Sequence, residues 1–228
     1  MNTIAFLNGL RFVDSFFPSG GFAFSSGLEA AVKGGAVRDG NDLARYVEDL
    51  LVHGLGRREA VAVAIAHQAE RTNKLAPALK VDHELDELKL GRDSRLASRQ
   101  MGRQVMKVAA EQIHDSRLLR DYRRAIEEGR TPGHVPVAMG MTLAACRWSR
   151  QEAVAAFLYQ TGQGFVSAAM KLLPVGQQEG QQLLAQWGPL IAELSYDVKP
   201  QAALASWSPV HDIYGMRHAR LESRLFRS

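Results

Sequence analysis

The stretch from Asp14 to Glu29 constrains this chain more than any other. It places Phe16, Phe17, Phe22 and Phe24 around a Pro18-Ser19-Gly20-Gly21 turn. Pro18 fixes its own backbone angle and drives Phe17 towards an extended form. Gly20 and Gly21 permit angles that a side chain forbids, and close approach of another backbone. Rings this apolar do not suit a solvated loop, so the pattern predicts a tight break between two helices with its aromatic residues buried. Ser26 and Glu29 stand at capping-box spacing, and Gly34-Gly35 ends the short helix that follows. Spacing leaves two roles open for Glu29, a cap partner of Ser26 or a functional carboxylate.

The rest of the chain reads as helix. It has 228 residues, long enough for one domain with a substantial core. Hydrophobic residues make up 46% and aromatic ones only 7%, a balance dominated by Ala and Leu that suits packed helices and not a strand sandwich. Helical periodicity predicts segments over 3–17, 22–33, 43–55, 58–71, 75–90, 92–110, 114–130, 134–147, 151–173, 177–194 and 210–228. The segment 58–71 is apolar almost all round and is expected to be buried. No repeat, strand-period run or low-complexity linker divides the chain. The expectation is one all-α domain, residues 1–228, of roughly ten helices, with a flexible tail from about residue 218.

Several function classes drop out. Cys146 is the lone cysteine, so there is neither a disulfide framework nor a thiolate zinc site. The start lacks a basic region followed by a long apolar run, and no apolar stretch reaches membrane-spanning length, which points to the cytoplasm and away from membranes. Of the net charge of +4, residues 71–130 supply the whole surplus, with fourteen Lys or Arg against ten Asp or Glu. The signs alternate as on a solvated helix face, with no aromatic platform beside them, so nucleic acid is not an expected partner. No Gly-Lys-Ser/Thr loop is present for a nucleotide. The seven histidines never take the His-x-x-x-His spacing, and no Gly-x-Ser-x-Gly elbow occurs. Neither catalytic nor metal-ligating residues are expected.

Three further motifs stand out. Arg95, Ser98 and Gly102 share one face of a long amphipathic helix, where Gly102 costs about 1 kcal/mol against Ala unless another helix packs closely. The corner Lys171-Leu-Leu-Pro-Val-Gly-Gln177 puts Lys171 in the last turn of an apolar helix, where a cation meets the negative helix end. The glutamines after it form an amide cluster, with Gln177 expected inside. The end, Arg224-Leu225-Phe226-Arg227-Ser228, is either a frayed terminus or a binding element, with Leu225 and Phe226 anchoring in a partner while Arg224 and Arg227 make charged hydrogen bonds.

Taken together, the Pro18-Ser-Gly-Gly-Phe turn with Gly27-Leu-Glu29, the Arg95/Ser98/Gly102 helix, the Lys171–Gln177 corner and the Arg-Leu-Phe-Arg-Ser end occur in the order found in the urease accessory protein UreF, and cover essentially the full chain. The chain resembles that family. The resemblance implies an all-α, cytoplasmic, non-enzymatic chaperone that tends to dimerise. It also implies a bridge between UreD (UreH in some organisms) and the GTPase UreG, which loads nickel into apo-urease. No cofactor is implied, the nickel being passed through the complex and not held. Pro18, Ser19, Gly20, Gly21, Glu29, Arg95, Ser98, Lys171 and Gln177 match positions of the family's motifs, and the tail matches the part that docks on UreD. The chain departs from the family at Ala219 and Glu222, where members often carry Glu and Tyr. The rival reading is a generic helical adaptor with no role in nickel.

Overall fold

A computed structural model describes residues 2–227. Ser228, the end of the expected tail motif, lies outside them. The described residues form eleven α-helices and no strand: α1 (Thr3–Val13), α2 (Leu28–Lys33), α3 (Gly40–Asp49), α4 (Glu59–Arg71), α5 (Leu75–Leu88), α6 (Arg92–Gln112), α7 (Arg117–Glu127), α8 (Val135–Ala145), α9 (Arg150–Leu172), α10 (Gln177–Asp197) and α11 (Pro209–His218). A short 3-10 turn, Gly21–Ala23, precedes α2, and a π-helical segment, Leu50–Leu55, extends α3. The all-α expectation holds.

The core forms around α4 and α8, which make the most extensive helix contact in the molecule. Ala60 to Ala64 on α4 and Pro136 to Ala144 on α8 are all buried, because neither helix carries a polar face to turn outward. Around this pair pack α5, α6 and α9, with α10 outside α9 and α11 across α2 and α6. Gly102 explains the α6–α8 approach. A Cβ there would lie 2.2 Å from the Gly133 carbonyl oxygen, so only glycine lets the two backbones meet.

The first forty residues differ from the periodicity. The helix expected to reach residue 17 ends at Val13, because the Asp14 carboxylate accepts the Phe16 N–H at 2.7 Å and competes with the helix. The helix expected from residue 22 starts at Leu28, since Phe24 is extended and Ser26 has φ 51°. The aromatic residues are not all buried either. Phe16 is 94% and Phe22 75% exposed, while Phe17 packs on Phe12 with ring centroids 5.3 Å apart. The Phe17 N–H closes a turn on the Asp14 carbonyl at 3.0 Å, which leaves Phe16 at the outer corner of that turn.

Candidate functional site

Glu29 is the organising side chain of the site. Gly27, with φ 85°, starts α2 in a left-handed conformation and touches the backbone of Gly215 on α11. This geometry removes the expected capping box. Ser26 is exposed, and Ser25 takes the Glu29 N–H instead, at 3.4 Å. The Glu29 carboxylate, buried to 1% exposure, turns to the far end of the chain. It accepts the backbone N–H of Leu225 at 2.8 Å and of Phe226 at 3.0 Å, and lies 3.1 Å from both His218 Nε2 and Lys33 Nζ. Burial by itself would raise its pKa. The two backbone donors, Lys33 and His218 outweigh that and lower it to about 2.

The tail is thereby tied to the body. Phe226 is turned inward at 6% exposure, and the Lys171 ammonium sits 5.2 Å from its ring centroid. Arg227 N–H bonds the Ala23 carbonyl at 2.8 Å, so the tail lies along the aromatic turn. Arg224 reaches Asp93 of α6 at 3.5 Å, and Lys33 also donates to the Ser223 carbonyl. Leu225, 63% exposed, is the apolar group that the tail presents outward. Lys171 occupies the last turn of α9, as its spacing suggests. Gln177 does not lie inside. It opens α10 exposed, as are Gln181 and Gln182, because the buried side of that helix is taken by Leu183, Leu184 and Trp187.

Pro18 is exposed, and Ser19, Gly20 and Gly21 are half-buried beside α6, where Met101 approaches Gly21. Arg95 donates twice to the Lys89 carbonyl, at 2.9 and 2.7 Å, and so closes the end of α5 onto α6. Ser98 is buried and meets His134 Nδ1 at 3.0 Å, while His134 Nε2 lies 2.9 Å from Asp86, itself paired with Arg99. With Nε2–H donating to Asp86, Nδ1 is left to accept from the Ser98 hydroxyl. Ser–His–Asp is the order of an acyl-transfer relay. Here Arg99 already neutralises the carboxylate and His134 is wholly buried, so the chain of bonds reads as a brace between α5, α6 and α8. Asp82 completes it by accepting from Tyr122 (2.9 Å), Thr131 (2.7 Å) and the backbone N–H of Gly133 (2.6 Å) and His134 (2.8 Å). Asp82 and His134 are absent from the sequence-derived candidates. An Asp between the apolar positions Val81 and Leu85 was the available signal for the first.

Behind the tail and the turn lies a cavity of about 310 Å³. Its wall is largely apolar, with Phe12, Phe17, Met101, Met139, Phe157 and the tail's own Phe226. One end is charged. Glu59 is buried with Lys89 Nζ at 2.6 Å and Arg58 Nε at 3.1 Å. Burial raises its pKa, and the two cations more than offset this, to about 2. Among the described residues no group of three His, Cys, Asp or Glu side chains is placed to hold a metal ion. Nor is any of the helices they form long and apolar enough to cross a membrane.

The turn, the Ser98 helix and Phe226 of the tail thus line one cavity, and Glu29 and Lys171 meet Phe226 beside it, although the sequence spreads them from residue 19 to residue 226. The UreF family model matches residues 37–188. A urease accessory protein UreF of Actinobacillus pleuropneumoniae serotype 5b (strain L20) is 31% identical over 221 residues, spanning 96% of this chain and 97% of that protein. The chain belongs to the UreF family. UreF of Bacillus sp. (strain TB-90) is 28% identical over 224 residues, 97% of this chain and 98% of its own length. UreF 2 of Brucella abortus (strain 2308) is 30% identical over 222 residues, 96% and 90% respectively. As a UreF, the chain is a urease accessory protein.

Proposed function

We propose that this UreF bridges UreD and the GTPase UreG in the cytoplasm, regulates UreG, and so supports nickel insertion into apo-urease, working as a homodimer. The observation that carries the reading is the shared surface of tail and aromatic turn. Arg227 is bonded to Ala23, and beside them Phe22 and Leu225 stand 75% and 63% exposed. Exposed apolar side chains on a rigid, hydrogen-bonded frame suit a protein partner. The chain itself makes no bonds in this reading. It holds its partners together, and release follows from a difference in affinity for two states of UreG. Nickel moves through the assembly and is not a resident ligand.

The test is co-purification of tagged chain with the matching UreD, UreG and urease apoprotein, with and without residues 224–228. Capture of UreD and UreG by the full chain, with UreD lost on truncation, is the expected result. Failure to capture either partner with folded full-length protein would overturn the proposal in favour of a generic helical adaptor.

A further inference from the structure

The charged end of the cavity holds more hydrogen-bond donors than Glu59 uses. Arg58 and Lys89 line it with side chains only 8% and 10% exposed. Lys89 gives Glu59 one bond, at 2.6 Å, and an ammonium carries three N–H groups. Arg58 gives Glu59 its Nε and reaches the Leu88 carbonyl through Nη1 at 3.4 Å, while Nη2 has no hydrogen-bond partner among the described residues. Two residues after Lys89, Gly91 and then Ser94 bring the start of α6 to the same cavity. Gly91 is the N-cap and has no side chain to bond the first turn, so that end of the 21-residue helix is left uncapped. Asp212 of α11 lines the cavity too, as a half-buried carboxylate. Burial raises its pKa, Arg58 draws it down and Glu59 pushes it up. The wall beyond is apolar, and the mouth is open to solvent at the exposed Asp14, Ser15 and Phe22.

We infer that this cavity is a binding site for a small amphipathic carboxylate, its apolar body lying along Phe12, Met101, Met139 and Phe157 and its carboxylate meeting Arg58, Lys89 and the start of α6. Size, polarity and access agree. A volume of about 310 Å³ falls at the lower end of small-molecule sites, which combine an apolar wall with a few fixed polar groups. A guanidinium and an ammonium almost out of water favour a carboxylate over a hydroxyl, because charge-assisted hydrogen bonds are about twice as strong as neutral ones. Glu59 holds the two cations in place. Asp212 opposes the incoming anion and so limits the affinity. An ammonium ligand fits worse, since Asp212 would receive it in the presence of two cations. The site needs no partner protein, so its failure leaves the bridging role untouched, and the reverse holds too.

Isothermal titration calorimetry of the full chain at neutral pH reads the site, with octanoate as the probe below its micellar range. Octanol and octylammonium are the neutral and cationic counterparts of the same alkyl chain. Octanoate is expected to bind at a single site, roughly tenfold or more tighter than either counterpart. Lys89→Gln keeps a donor for Glu59 and should weaken octanoate by a similar factor. Asp212→Asn removes the opposing charge and should tighten it about threefold. Ala97, which lines the wall from α6 at 4% exposure, gives a way to fill the cavity. Ala97→Leu should abolish saturable binding in protein that still unfolds cooperatively. The three-ligand comparison and Asp212→Asn keep the test decisive even if Lys89→Gln folds poorly. Absence of saturable octanoate binding to the wild type would overturn the site. Equal affinity for octanol, or weaker octanoate binding by Asp212→Asn, would overturn the carboxylate class. Unchanged binding by folded Ala97→Leu would place the ligand elsewhere and overturn the proposal as well.

Discussion

Glu29 concentrates on one carboxylate what most proteins spread over a surface network. Two backbone N–H groups, an ammonium and an imidazole face it from α2, α11 and the tail. A buried acceptor with charge-assisted donors contributes about 1.5–3 kcal/mol, and removing it leaves the donors unsatisfied. The pH dependence follows from the direction of its shift. Its ordinary pKa is 4.5 and its folded value about 2, so the folded state favours the charged form. The contribution is present in full above pH 4.5 and is lost as pH falls towards 2. Chemical denaturation of wild type and Glu29→Gln across that range should show a stability gap that is wide at pH 6 and closes towards pH 2. A gap independent of pH would mean that the carboxylate charge does not hold the tail.

At the scale of elements, the close approach of α6 to the start of α8 makes a prediction that runs against helix propensity. Gly102→Ala should stabilise an exposed helix by about 1 kcal/mol. Here the new Cβ would meet backbone atoms of Gly133, His134 and Val135 at 2.2 to 2.6 Å, and backbone cannot swing aside. Overpacking of this kind costs about 1–3 kcal/mol or more, so the net change should be destabilising, read as a lower urea midpoint at similar slope. The same contrast explains what the sequence makes legible. Long periodic runs give α4, α6, α9 and α10 to within a few residues, because one apolar pattern persists over several turns. The stretch between α1 and α2 resists such reading, since single positions decide it: the Asp14 side-chain bond, the left-handed Ser26 and the Gly27–Gly215 contact. The Ser26–Glu29 spacing is a valid capping pattern in isolation. What defeats it is a partner nearly two hundred residues later, and no local pattern carries that distance. Likewise the motifs mark Glu29, Lys171 and the tail as candidates, but their meeting at Phe226 is a property of the folded chain.

At the scale of the whole molecule, the architecture separates a self-sufficient core from the end of the chain that crosses it. The core is built on α4 and α8, with α5, α6, α9 and α10 around them, and its largest wholly buried side chains include Trp187, Tyr122, Leu85 and Met139. None of these belongs to the tail. The segment 224–227 buries one large apolar group, Phe226. Losing that ring and the Glu29 bonds should cost a few kcal/mol, on the order of 3–5, which a domain of this size can sustain. A chain ending at Ser223 should therefore remain helical by circular dichroism and unfold in one cooperative transition, at a lower midpoint but with a denaturant slope close to that of the full chain, because the surface exposed on unfolding changes little. Collapse of cooperativity, or a marked fall in slope, would instead make the tail a structural member of the core. That distinction governs how partner binding by the truncated chain is read. If the core survives intact, loss of a partner on truncation reports the surface of the tail itself; if it does not, the loss reports only a missing fold.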